Sequence, residues 1–155
     1  MKRVRLAVVA IALLAFGTVS RAAPDELAVI VNKSNPISTL TIFQLRRIVL
    51  AEQEKWPSGS RIIVWMSPPG QPDRAGALKM VCGMTETDFT LYFVHASFNR
   101  DPPRTVASSA LVKKSIAGAF NGVGFIWASE MDDSVKVLAI DGSLPGQPAY
   151  KLRMK

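Results

Sequence analysis

Ile62-Ile-Val-Trp-Met-Ser-Pro-Pro-Gly-Gln-Pro-Asp-Arg74 is the stretch on which the reading of this chain turns. A short apolar, β-branched run enters a Pro/Gly turn, and the turn opens a helix. In α/β proteins a strand–loop–helix corner of this kind suits an anion, because free N–H groups and the helix dipole point into it. Here the composition works against an anion. Pro68, Pro69 and Pro72 have no N–H to donate. Asp73 reads as the N-cap, a position from which its own carboxylate takes the first helical N–H groups. Arg74 is the one compensating charge, and it reads as a solvated side chain of the first helical turn. The candidate contacts of the corner are Ser67, Gly70, Gln71, Asp73 and Arg74.

Outward from the corner, the chain alternates short apolar runs with amphipathic ones. Residues 27–31 read as a buried strand and residues 32–40 as a loop broken by Pro36. Thr41 with Gln44 forms a capping box for a helix whose stripe is Ile42, Leu45, Ile48 and Val49. The helix opened at Asp73 runs to about Cys82, with Gly83 as its C-cap. Thr85 with Asp88 starts the next, which carries Phe89, Tyr92, Phe93, Ala96 and Phe98. Residues 100–104 break it.

Ser108 or Ser109 starts a further helix with Val112, Ile116, Ala119 and Phe120 on one face. Asn121-Gly122 ends it, as two residue types that tolerate a left-handed stop. Residues 123–127 and 135–140 read as strands. Asp141-Gly142 turns the tail toward a last short strand near Tyr150. The order predicts an α/β fold, a small mixed β-sheet covered by helices. The unbroken Val/Ile/Leu strands are those of a sheet buried on both faces.

The N-terminus reads as a secretory leader. Lys2, Arg3 and Arg5 precede an uncharged apolar core at 6–17, and Ser20-Arg21-Ala22 offers a cleavage site after Ala22. The apolar run is shorter than the ~20 residues that span a bilayer. The expected organisation is a signal peptide at 1–22 and one domain at 23–155, soluble and periplasmic or otherwise extracytoplasmic. The leader takes four of the 19 Lys+Arg residues, which leaves 15 basic residues against 12 acidic and a mature charge of +3. The basic balance thus belongs largely to the leader and is no argument for nucleic acid.

No catalytic set is legible. His95 is the sole histidine and has no nucleophile motif with it. One His and the lone Cys82 cannot furnish the usual metal-ligand set, and Cys82 falls on an apolar helix face. Glu130, Asp132 and Asp133 lack the spacing of a calcium loop. Trp56, Trp65 and Trp127 read as packing residues. Arg46, Arg47, Lys113 and Lys114 read as the wet faces of their helices, with a joint basic patch as the alternative. The expectation is no enzyme, no cofactor and no metal.

Several segments together resemble a known family. Leu40-Thr-Ile-Phe-Gln-Leu45, then Ile48-Val-Leu50, then Trp56, resembles the "L-T-hydrophobic-x-x-L … I-F-L-G … W" segment of PstS-type phosphate-binding proteins, class II periplasmic solute-binding proteins. Asn121-Gly-Val-Gly-Phe-Ile126 resembles their "G-A-I-G-Y-V" strand entry, and Asp141-Gly142 resembles the turn after their next strand. The resemblance implies one lobe of a two-lobed clamshell, because the opposing wall has no counterpart here. The family's phosphate loop looks like Arg-x-Asp-Gly-Ser-Gly-Thr. The aligned residues here are Ser67-Pro-Pro-Gly-Gln-Pro-Asp73, which keep only Gly70.

Loss of the arginine removes a bidentate partner, and Asp73 adds like charge where a dianion would sit. The resemblance implies non-enzymatic recognition of a small polar solute in the cell envelope, linked to the membrane component of an ABC transporter. The phosphate loop is degenerate, so a cation, a neutral solute or a peptide amine suits it better than phosphate. The alternative is a ligand-free protein–protein interaction module, homodimerisation being one way to bury its exposed face.

Overall fold

The computed structural model describes residues 25–96 and 99–155; the expected leader and Phe98 lie outside them. The elements are β1 (Leu27–Val31), β2 (Thr39–Leu40), α1 (Ile42–Val49), β3 (Ile63–Met66), α2 (Pro72–Ala77), α3 (Glu86–His95), β4 (Arg104–Thr105), α4 (Ser109–Gly118), β5 (Gly122–Trp127), β6 (Lys136–Val137) and β7 (Ala139–Ile140). Five strands form a mixed sheet in the order β4-β3-β5-β1-β6. β3 runs parallel to β4 and β5, and β1 runs antiparallel to β5 and β6. A small parallel pair joins β2 to β7. The α/β class read from the sequence is thus observed.

β1 lies near the middle of the sheet, and all five of its residues are buried. Leu27, Val29 and Val31 face one core with α1, α2 and Phe89 of α3, while Ala28 and Ile30 face a second core with Val112 and Ile116 of α4. Alternate residues of one strand therefore feed two apolar layers, so no polar residue interrupts the run. α4 approaches the sheet over Gly124. A Cβ there would stand 2.6 Å from the Trp65 carbonyl and 2.7 Å from Val112 Cγ1.

The caps follow the local sequence. Thr41–Gln44 and Thr85–Asp88 both form complete capping boxes, and Ser108 caps α4. α1 ends in a Schellman motif, with Glu52 N donating to Arg47 O at 2.7 Å and Ala51 N to Ile48 O at 3.1 Å. Ala51 takes φ 52° there, a left-handed conformation costly for a residue with a Cβ. α2 continues into one π-helical turn, Leu78–Cys82, before Gly83 ends it.

Three expectations are corrected, and one alternative is set aside. Asn121 and Gly122 do not stop α4 by left-handed geometry; Ala119 leaves the helix extended, and Gly122 already belongs to β5. Phe120 is half exposed instead of lying on the apolar face of α4. The tail forms no strand at Tyr150; it is held by an isolated bridge between Glu26 and Arg153. Arg46 and Arg47 lie on a helix on the opposite side of the sheet from Lys113 and Lys114, so the four make no joint patch. Lys113 donates instead to the Glu130 carbonyl and to Asp132.

Candidate functional site

β3 delivers the chain to the corner with Met66 and Ser67 both buried. The next residues make a tight reversal, with Gln71 N donating to Pro68 O at 3.2 Å. Pro69 and Gly70 are its central pair. Gly70 sits at φ 90°, which Pro-Gly at these positions provides without steric cost. Gln71 then stands as the N-cap with no side-chain bond, and Pro72 occupies the first turn. The expected N-cap at Asp73 is therefore displaced. Proline prefers the first helical position, where its missing N–H costs nothing, so the helix starts before the aspartate.

Asp73, freed from capping, turns into the protein. It is buried, and the Ser67 hydroxyl donates to its Oδ2. Arg74 is buried as well, which overturns the expectation of a solvated side chain. Its Nε and Nη2 donate to Glu86 Oε2 and Oε1, both at 2.7 Å, and its Nη1 donates to the Ser67 carbonyl at 3.2 Å. The guanidinium also lies over the Phe89 ring, 5.6 Å from its centroid. A buried guanidinium needs such partners, because an uncompensated charge in this setting is costly.

Ser67, Asp73 and Arg74 are thus gathered into one buried polar cluster, whereas Gly70 and Gln71 are exposed on the loop above it. Sequence reasoning missed Glu86, the residue that pairs with Arg74. Its sequence signal is an acidic side chain in the first turn of a capped helix, which ordinarily serves only the helix dipole.

A cavity of about 100 Å³ lies elsewhere, between the end of α1 and the start of β4, with Ile48, Gln53, Arg61, Val64, Asp101 and Pro103 among its lining residues. None of the five candidate corner residues lines it. The remaining chemistry-bearing groups are committed or exposed. His95 is exposed in the last turn of α3. Cys82 is buried, and burial pushes its thiol up to about 12. Glu130 accepts from Ser109 and from the Trp127 N–H. The hydrogen bond from Lys113, then those from Ser134, hold Asp132 well below the usual carboxylate range. Among the described residues no helix is long and apolar enough to cross a membrane.

The fold is that of phosphate-binding proteins. A protein from Clostridium perfringens, described as a phosphate ABC transporter substrate-binding protein with bound phosphate, matches with a TM-score of 0.66 at 25% identity over 78% of this chain and 47% of its own. An ABC-type phosphate transport receptor from Vibrio cholerae matches with a TM-score of 0.65 at 23% identity, over 78% of this chain and 48% of its own. PstS from Borrelia burgdorferi gives 0.64 at 16%, over 78% and 49%. The chain thus spans about half the length of the solved structures it matches. No family model matches it, and no curated protein does.

Proposed function

We propose that this chain is an exported, non-enzymatic recognition module that uses the phosphate-binding-protein fold without its phosphate selectivity. The observation that carries the reading is the internal saturation of the corner: Asp73 is bonded by Ser67, and Arg74 is claimed by Glu86. A phosphate dianion entering there meets a carboxylate that already holds the nearby hydroxyl, and a guanidinium with no free charge to offer. A neutral polar solute, a cation or a peptide amine fits the corner's net negative balance, with the exposed Gln71 as the polar contact and Gly70 keeping the loop tight. By analogy with the proteins it matches, delivery to an ABC-type membrane component is the proposed context.

Calorimetric titration of the protein against phosphate, sulfate and a panel of small amines and neutral polyols tests this. Saturable heat from an amine or polyol and none from the oxyanions is expected. Micromolar phosphate binding would sink the reading.

A second reading rests on α3. Phe89 is its one buried residue, while Leu91 and Val94 are 48% and 60% exposed. Apolar side chains left in water on one helix face suit a protein partner. Light scattering over a concentration series separates the two readings. A mass that rises with concentration favours the interaction module, and a fixed monomer mass with saturable small-ligand binding favours the first.

A further inference from the structure

We infer that Glu86 is a specificity-determining residue of the corner, which excludes oxyanions by occupying the Arg74 guanidinium within it. The inference rests on the proposed reading of the corner as the recognition site. Arg74 follows Asp73 directly and reaches back to the Ser67 carbonyl at 3.2 Å, so its charge sits within the cluster formed by the candidate contacts. Left alone, a buried arginine there would be an anion anchor, since its planar fork matches carboxylate and phosphate oxygens two at a time. Glu86 makes that bidentate contact itself, with both distances at 2.7 Å. The Phe89 ring lies under the same guanidinium, 5.6 Å from centroid to Cζ.

The carboxylate comes from the first turn of α3, a separate helix, and is 31% exposed against 7% for the arginine. Glu86 thus stands on the solvent side of the pair, where an incoming anion would arrive. It stands in for an external oxyanion. With Asp73, the cluster carries two carboxylates against one guanidinium, and this balance decides which ligands are admitted.

The test uses the protein expressed from its full sequence, with inorganic phosphate and sulfate as probes. Glu86→Gln keeps the shape and one acceptor but removes the counter-charge. A double variant, Asp73→Ser with Glu86→Gln, leaves Arg74 as the sole charge of the cluster. Phosphate affinity is expected to rise in that order, by about tenfold or more in the double variant, the worth of one charge-assisted hydrogen-bond pair. Adding Arg74→Gln to the double variant should abolish the gain.

Circular dichroism identifies variants that do not fold, and Glu86→Asp, which keeps the charge with a shorter reach, supplies a folded intermediate case. It is expected to bind phosphate more weakly than Glu86→Gln. Folded variants without phosphate response overturn the role of Glu86 while leaving the proposed function intact. Phosphate binding by the unmodified protein overturns both.

Discussion

The phenol of Tyr150 donates to the backbone carbonyl of Leu27 at 2.6 Å, a contact that spans 123 residues of sequence. It belongs to a seam that ties the C-terminal tail to the start of β1. Leu27 N donates to Leu152 O, Met154 N donates to Asp25 O, and buried Glu26 accepts from Arg153 and Gly146. Burial, and then the charge of Glu26, push the phenol above its ordinary range. Tyr150→Phe keeps the ring but leaves a buried carbonyl without that donor. Stability is expected to fall by about 1–2 kcal/mol, read as a lower urea midpoint with an unchanged slope.

Ala51 holds the left-handed position of the Schellman motif after α1 at φ 52°. Ala51→Gly removes the Cβ penalty at the expense of a more flexible unfolded chain. A net gain of about 0.5–1 kcal/mol is expected, seen as a higher thermal midpoint. A loss on this substitution would show that the alanine methyl contributes packing that outweighs the strain.

Gly124 and Gly118 make an opposed pair on α4 and the strand it covers. A Cβ on Gly124 meets backbone and two core side chains under 3.0 Å, whereas one on Gly118 meets nothing within 4 Å. Gly124→Ala should cost about 1–3 kcal/mol or more, because α4 must lift from the sheet. Gly118→Ala should be neutral or stabilising by up to about 1 kcal/mol. Equal effects at the two sites in parallel denaturation curves would contradict the close approach of α4 at Gly124.

Cys82 sets an alkaline limit. Burial raises its thiol from 9.0 to about 12, with Arg46 partly opposing the shift. The folded protein therefore holds the proton over a range in which the unfolded chain releases it. This contribution is fully present below pH 9 and is lost as pH climbs toward about 12. Tyr150 adds loss of the same sign further into the alkaline range. Cys82→Ala is expected to flatten the decline between these limits relative to the parent. The native thiol should also react slowly with a disulfide reagent at neutral pH, because little thiolate is present.

Local elements were legible to the degree that their causes are local. The two capping boxes, the α1 stripe and the Pro69-Gly70 turn each follow from residues within a few positions of one another. At Asp73 two local rules compete. An aspartate favours the N-cap and a proline favours the first turn, and proline's rigid ring prevailed. The burial of Arg74 is not legible locally, because it depends on Glu86, beyond the end of its own helix. Helical spacing places Phe120 on the apolar face, but the helix ends at Gly118 and Ala119 is extended, so that spacing no longer applies.

By itself, the order of apolar runs, caps and glycine turns determined the α/β class and the position of the strand–loop–helix corner. These are short-range matters of backbone conformation and of alternation between wet and dry faces. Tertiary structure alone decided that the corner is closed on itself. Burying an arginine and an aspartate demands partners, and only folding brings Ser67 from the end of one strand and Glu86 from a later helix close enough to supply them.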